Sequence, residues 1–158
     1  MHIGAANPAD LDAILALLPR LASFELPNGR DPKHLWEGDA AMVVDWAAGN
    51  NPDYLVSVAK DDDGSLLGMA SVSLREELLS HAPSAHLEVI VVADGAEGRG
   101  IGKALLEAAE AGARQRGARS MSLHVFAANT NARRLYRAAG YDEELYRCIK
   151  PFAKDALA

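Results

Sequence analysis

Glycines at 98, 100 and 102 follow the apolar run Val89–Ala93 and lead into an amphipathic stretch that opens at Ile101. A buried strand, a glycine-rich turn and a helix in that order bring unhindered backbone close to a ligand, and the first N–H groups of the helix carry roughly half a positive charge. The chemistry this suits is the binding of an anion such as a phosphate. Arg99 and Lys103 would add side-chain charge at the rim. On the glycine spacing alone, the alternative is a connector with a solvated basic pair. Two nucleotide motifs fit poorly. A P-loop needs a hydroxyl after Gly-Lys, whereas Gly102-Lys103 is followed by Ala104. A dinucleotide fingerprint needs a further glycine three residues on, and Lys103 and Leu105 stand at the two candidate positions.

A second cluster lies in the segment from Val125 to Tyr141. Together the two segments resemble the GNAT superfamily of N-acetyltransferases, with its acyl-CoA loop Gln/Arg-x-x-Gly-x-Gly/Ala and its later Asn-x-x-Ala-x-x-Leu-Tyr followed by Gly-Phe or Gly-Tyr. Gly100-Ile101-Gly102 matches the first, and Asn129, Ala132, Leu135, Tyr136, Gly140 and Tyr141 match the second in order and spacing. The motifs span about Glu88 to Tyr141. The resemblance implies an α+β sandwich whose mixed, mostly antiparallel sheet is flanked by about four helices, formed by residues 1–158 as a single acetyltransferase domain. It also implies acetyl-CoA as acyl donor, no metal, and a small-molecule or peptide amine as acceptor, attacked directly in a ternary complex.

By the same resemblance Ile90, Val91 and Val92 would pair with the pantetheine arm. Gly98, Arg99, Gly100, Ile101, Gly102 and Lys103 would hold the pyrophosphate. Asn129 would contact the pantetheine, Tyr136 would face the thioester sulfur, and Glu88 would stand where many members place the carboxylate that takes the amine's proton. Glu88 also has a plain structural reading, as an acid at a strand start bonded to a backbone amide. The loop departs from the pattern at Glu97, which occupies the usual Gln or Arg position. Pointing away, its carboxylate leaves the backbone cradle intact; pointing in, it weakens acyl-CoA binding.

The chemistry explains why such residues are wanted. An alkylamine of pKa near 10.4 is mostly ammonium at neutral pH and must lose a proton before it attacks. The leaving thiol has a pKa of about 8.5, so full proton transfer from an unperturbed tyrosine at about 10 costs ~2 kcal/mol. Hydrogen bonding is therefore the role expected of Tyr136. Noncatalytic acyl-CoA binding and a nucleotide-binding α/β domain are the competing readings.

To position these groups the chain must alternate short strands with helices. After a first strand, Asn7-Pro8 has the form of a helix cap and first residue, with Leu11, Ile14, Leu15 and Leu18 on one face and Pro19 at the end. Residues 24–32 have turn chemistry. A second helix is predicted from Pro32 towards Ala48 with Leu35, Trp36, Met42, Val43 and Trp46 inward. Strands are predicted at Tyr54–Lys60 and Leu66–Leu74 around the acidic turn Asp61–Gly64, then at Ala85–Ala93. A helix over 100–116, a strand over 120–125, a helix over 129–139 and a last strand over 144–150 complete the order. By the resemblance, the acceptor would be recognised around Phe24 to His34 and by the last strands. Trp36, Trp46 and Phe24 could wall that site, although core packing is the simpler role.

The 158 residues carry 16 basic and 22 acidic side chains, a net charge of -6 that does not attract nucleic acid or an anionic membrane in bulk. No apolar run reaches the ~20 residues of a membrane span. The start of the chain lacks a leader pattern, and the expected location is cytoplasmic. The single Cys148 permits no disulfide within the chain and is predicted to pack in the last strand. Five scattered histidines make a zinc site a poor fit; His86 shares a strand face with Glu88 and is structural or substrate-facing. A homodimer is expected from the family resemblance alone.

Overall fold

The computed structural model describes residues 1–27 and 29–158. Five strands form one sheet in sequence order: β1 (His2–Ala5), β2 (Tyr54–Lys60), β3 (Leu66–Glu76), β4 (Pro83–Val92) and β5 (Met121–Leu123). The first four pair antiparallel and β5 runs parallel to β4, as a crossover through a helix requires. Helices α1 (Leu11–Leu17) and α2 (Glu37–Ala47) cover one face, and α3 (Ile101–Gln115) and α4 (Thr130–Ala138) cover the other. This is the expected α+β arrangement, a mixed sheet between two helical layers.

Local chemistry accounts for the boundaries. The Asn7 side chain accepts from the Ala9 N–H at 3.0 Å while the Asp10 carboxylate accepts from the Asn7 N–H at 2.9 Å, a reciprocal cap that starts the first helical turn. That turn, Pro8–Asp10, is a 3-10 turn, and so is Leu18–Ala22, which follows α1 where Pro19 cannot donate an N–H. The second predicted helix also divides. Pro32–Leu35 is a 3-10 turn, Trp36 breaks the helical backbone with φ near -135°, and α2 starts at Glu37. The acidic turn between β2 and β3 closes through Asp61 and Ser65, with Asp63 bonded to Ser65. Asn28, within the predicted loop, lies outside the described residues.

The strand that matters most is β4. Ser71 pairs with Val89 but Val72 pairs with Leu87, so Glu88 is the extra residue of a β-bulge. Before the bulge Ala85 and Leu87 pack towards α3; after it Val89 and Val91 pack towards α1 and α2. An unbroken strand would have put all four on one face. Opposite Val92 on β3, a Cβ on Gly68 would come within 2.7 Å of the Val91 carbonyl oxygen and 3.0 Å of Leu105, so α3 can pack this closely only over a glycine.

The C-terminal expectation fails. Residues 144–150 form no strand: Leu145, Tyr146 and Ile149 are exposed, and so is Cys148, which was expected to be packed. The segment has apolar residues at 145, 146, 148 and 149, but a strand needs a hydrogen-bonded neighbour. The adjacent edge, β5, is three residues long instead of the six predicted, so it has few positions to pair. No described helix is long and apolar enough to cross a membrane.

Candidate active site

The β4–β5 ladder ends at the Leu87–Leu123 pair, and beyond it β4 has a neighbour on one side only. The Ala93 N–H bonds to the Leu67 carbonyl at 2.8 Å, so odd-numbered residues at this end of β4 turn their peptide groups to β3. Ile90 and Val92 therefore present theirs to the opening left by β5. Val91 does not; its backbone faces β3 and its side chain is in the core beneath α1 and α2. One gap-side acceptor, the Val92 carbonyl, is taken by Arg20 Nε at 2.8 Å.

The opening leads to the start of α3. Gly98 and Gly100 hold φ of +76° and +78°, a left-handed conformation costly for other residues, and Gly100 caps the helix. The first helical bond is from the Ala104 N–H to the Gly100 carbonyl. The N–H groups of Gly98, Arg99, Gly100, Ile101, Gly102 and Lys103 have no partner among the described residues. Six consecutive donors at a helix start are a cradle for a polyanion such as a diphosphate. The side chains contribute less than the backbone. Arg99 lies 3.8 Å from Asp61, while Lys103 is well exposed and 3.8 Å from Glu107 on its own helix. The Glu97 carboxylate accepts from Arg20 and from none of these donors.

On the α4 side of the opening, the Asn129 carbonyl oxygen caps the helix by accepting from the Ala132 N–H at 3.2 Å, which leaves its amide donors available. Tyr136 is 7% exposed, set edge-on to Tyr141 with centroids 5.9 Å apart. Burial pushes its phenol up to about 12. Its hydroxyl has no hydrogen-bond partner among the described residues, so it is an uncommitted donor at neutral pH. The Tyr141 hydroxyl, by contrast, donates to Glu110 at 3.1 Å.

The opposite side of the sheet, towards α2, is polar near the bulge. Tyr54 donates to Ser71 Oγ at 2.7 Å, and the buried Ser73 Oγ has no partner among the described residues. His86, buried, shares a hydrogen bond of 2.8 Å with Ser122 Oγ and meets the His124 ring edge-on at 4.7 Å. Asp39 lies on the inward face of α2, four residues before buried Val43. Its carboxyl is pushed up to about 6, by burial first and then by the negative charge of Glu88. Burial also raises the Tyr54 phenol, with further contributions from Asp39 and Glu88. The three groups thus sense one another where β4 bulges. Phe24 and Phe126 meet at 5.4 Å, joining the loop after the first helical segment to the chain leaving β5. Trp36 and Trp46 instead pack against the core beneath α2.

Sequence reasoning missed Asp39 and Arg20. Asp39 had a signal, a carboxylate in phase with the apolar face of its helix. Arg20 had none, because its partners stand more than 70 residues away in the chain. A separate hollow of about 390 Å³ at the C-terminal end of α3, lined by Asp53, Arg75, Glu76, His81 and Arg116 among others, shares none of these residues. Among the described residues no group of three or more His, Cys, Asp or Glu is placed to hold a metal.

The sequence profile described as the acetyltransferase (GNAT) family matches residues 17–141. Streptothricin acetyltransferase of Streptomyces lavendulae is 36% identical over 118 residues, which is 72% of this chain and 60% of that protein. Mycothiol acetyltransferase of Beutenbergia cavernae is 37% identical over 91 residues, 58% of this chain and 29% of that protein. The chain therefore spans less than two thirds of the length of these relatives. A crystal structure of ribosomal-protein-alanine N-acetyltransferase from Brucella melitensis biovar Abortus superposes with a TM-score of 0.70 at 18% identity, covering 96% of this chain and 100% of that one. At that identity the likeness is one of fold.

Proposed function

The chain belongs to the acetyltransferase (GNAT) family, whose acyl donor is acetyl-CoA, and from that premise we propose that it is, as a single domain, an N-acetyltransferase for a primary amine. The observation that carries this reading is the continuity of two features: the unpaired edge of β4 after Glu88, and the six unpartnered N–H groups at the start of α3. Ile90 through its backbone groups and Val92 through its N–H would hold the pantetheine arm, the Val92 carbonyl being held by Arg20, with Asn129 donating from the far side. Gly98 to Lys103 would hold the diphosphate. No metal ligand set is needed.

When bound, acetyl-CoA supplies a thioester carbonyl to the site. The residues around the bulge then serve the acceptor. An ammonium group entering from the α2 side meets Glu88 and Asp39, and one of these carboxylates takes its proton, directly or through water. A carboxyl at about 6 is a better base than one at the ordinary 3.8, by about 3 kcal/mol of proton affinity. The amine lone pair attacks the carbonyl carbon, the C–S bond breaks with its electron pair leaving on sulfur, and the surplus proton on the new amide nitrogen passes to solvent or to that thiolate. Tyr136 steadies that charge by hydrogen bonding. Moving its proton fully from about 12 to a thiolate of pKa about 8.5 would cost about 5 kcal/mol, which argues for donation without transfer. Holding both substrates in one cleft removes the entropy of their encounter.

Calorimetry with acetyl-CoA, and with desulfo-CoA, ATP and NAD for comparison, tests the reading on wild type and Gly100→Glu. Micromolar acetyl-CoA binding, abolished by the substitution, is expected; a screen of amines for thiol release then finds the acceptor. Binding of ATP or NAD in place of acetyl-CoA would overturn the proposal.

A further inference from the structure

The loop before the cradle carries two acids, Asp94 and Glu97, within a few residues of donors that suit an anion. A carboxylate so close can fold onto those N–H groups or repel the diphosphate that should occupy them. One guanidinium engages both. Arg20, in the Leu18–Ala22 turn, donates from Nε to the Val92 carbonyl at 2.8 Å, from a terminal nitrogen to Glu97, and lies 3.1 Å from Asp94. The Val92 carbonyl belongs to the packed end of β4, so the guanidinium is fixed to the sheet before it engages the loop. Its side chain is 27% exposed, against 91% for Asp94 and 54% for Glu97, so the anchored partner is the arginine.

We propose that Arg20 is a positioning residue for the cosubstrate: fixed on the end of β4, it holds the Glu97 carboxylate away from the place of the diphosphate. The inference rests on the acyl-CoA reading above. It explains how an acid is tolerated at the first position of the glycine loop, because its charge is neutralised by a cation from a different layer of the fold. Arg20 acts through Glu97 and touches no reacting atom.

The test compares acetyl-CoA with S-acetylpantetheine, which has the same thioester arm and no phosphate. Arg20→Ala should lower kcat/KM for acetyl-CoA about tenfold or more, through KM, and leave that for S-acetylpantetheine within about twofold. Adding Glu97→Gln should restore acetyl-CoA to within about threefold of wild type, since the unmasked charge is then gone. Equal losses for both donors, or no rescue by the second substitution, would overturn the proposal in favour of a merely structural arginine. Should Arg20→Ala not fold, Arg20→Gln takes its place, keeping a donor for the Val92 carbonyl but leaving Glu97 without its counter-charge: a loss of about tenfold or more for acetyl-CoA alone supports the proposal, and an equal loss for both donors, or none, overturns it. Wild-type protein that binds no acetyl-CoA defeats the acyl-CoA reading and this inference with it, whereas acetyl-CoA binding indifferent to Arg20→Ala defeats the inference alone.

Discussion

Asp39→Asn separates stability from activity in opposite directions. The Asp39 carboxyl stands at about 6 in the folded protein against an ordinary 3.8, chiefly because burial disfavours its charge. Well below pH 3.8 it is protonated both folded and unfolded and does not affect stability. As pH rises from about 4 to 6 the unfolded chain releases this proton before the folded one does, so stability falls; above 6 the loss is complete. At about 1.4 kcal/mol for each pKa unit the loss reaches about 3 kcal/mol, reduced to about 1–2 by solvent at the exposed edge of the carboxylate. Asparagine is nearly isosteric and carries no charge. Urea unfolding at pH 4.0, 5.0, 6.0 and 8.0 should therefore show a stability difference between variant and wild type that grows by about 1–2 kcal/mol in favour of the variant, with its midpoint between 4 and 6. The same variant should lose about 10²-fold or more in kcat if the carboxylate takes the amine's proton. A difference flat in pH would refute the assigned burial and coupling, and full activity would remove Asp39 from the acceptor site.

Glu88→Gln removes the second cause of the Asp39 shift, so any acid limb of the kcat profile near pH 6 should move to lower pH in that variant. Tyr136→Phe removes one uncommitted hydroxyl from a buried ring; kcat should fall about 10–100-fold, the worth of a hydrogen bond to a charged sulfur, with KM for acetyl-CoA nearly unchanged in steady-state assays. Gly68→Ala places a methyl 2.7 Å from the Val91 carbonyl oxygen and should lower stability by about 1–3 kcal/mol in urea titration.

Much of this molecule is legible in its one-dimensional pattern. Asn7 and Pro8 announce a helix start because capping is local chemistry, and the caps form as read. The glycines at 98 and 100 announce a left-handed turn because few other residues adopt it cheaply, and both have positive φ. Tyr136, Asn129 and the glycine loop could be named together because their spacing matches a family, and that family contains the chain. Hydrophobic periodicity placed the four helices and the first strands on the right segments.

What required the tertiary structure involves partners distant in sequence. The apolar residues of 144–150 suggest a strand, yet whether it pairs depends on the length of the β5 edge, which is three residues. The bulge at Glu88 is invisible in β4 itself, since it is defined by the register of β3, and it alone puts Val89 and Val91 on the face opposite Leu87. The effect of Glu97 could be posed from the sequence but not answered there. Its carboxylate is harmless or harmful according to where its counter-charge lies, and that counter-charge is Arg20, brought across 77 residues by the packing of the first helical segment against the end of β4. Local chemistry is carried by adjacent residues and can be read in order; long-range register and charge pairing depend on distances that exist only once the chain has folded.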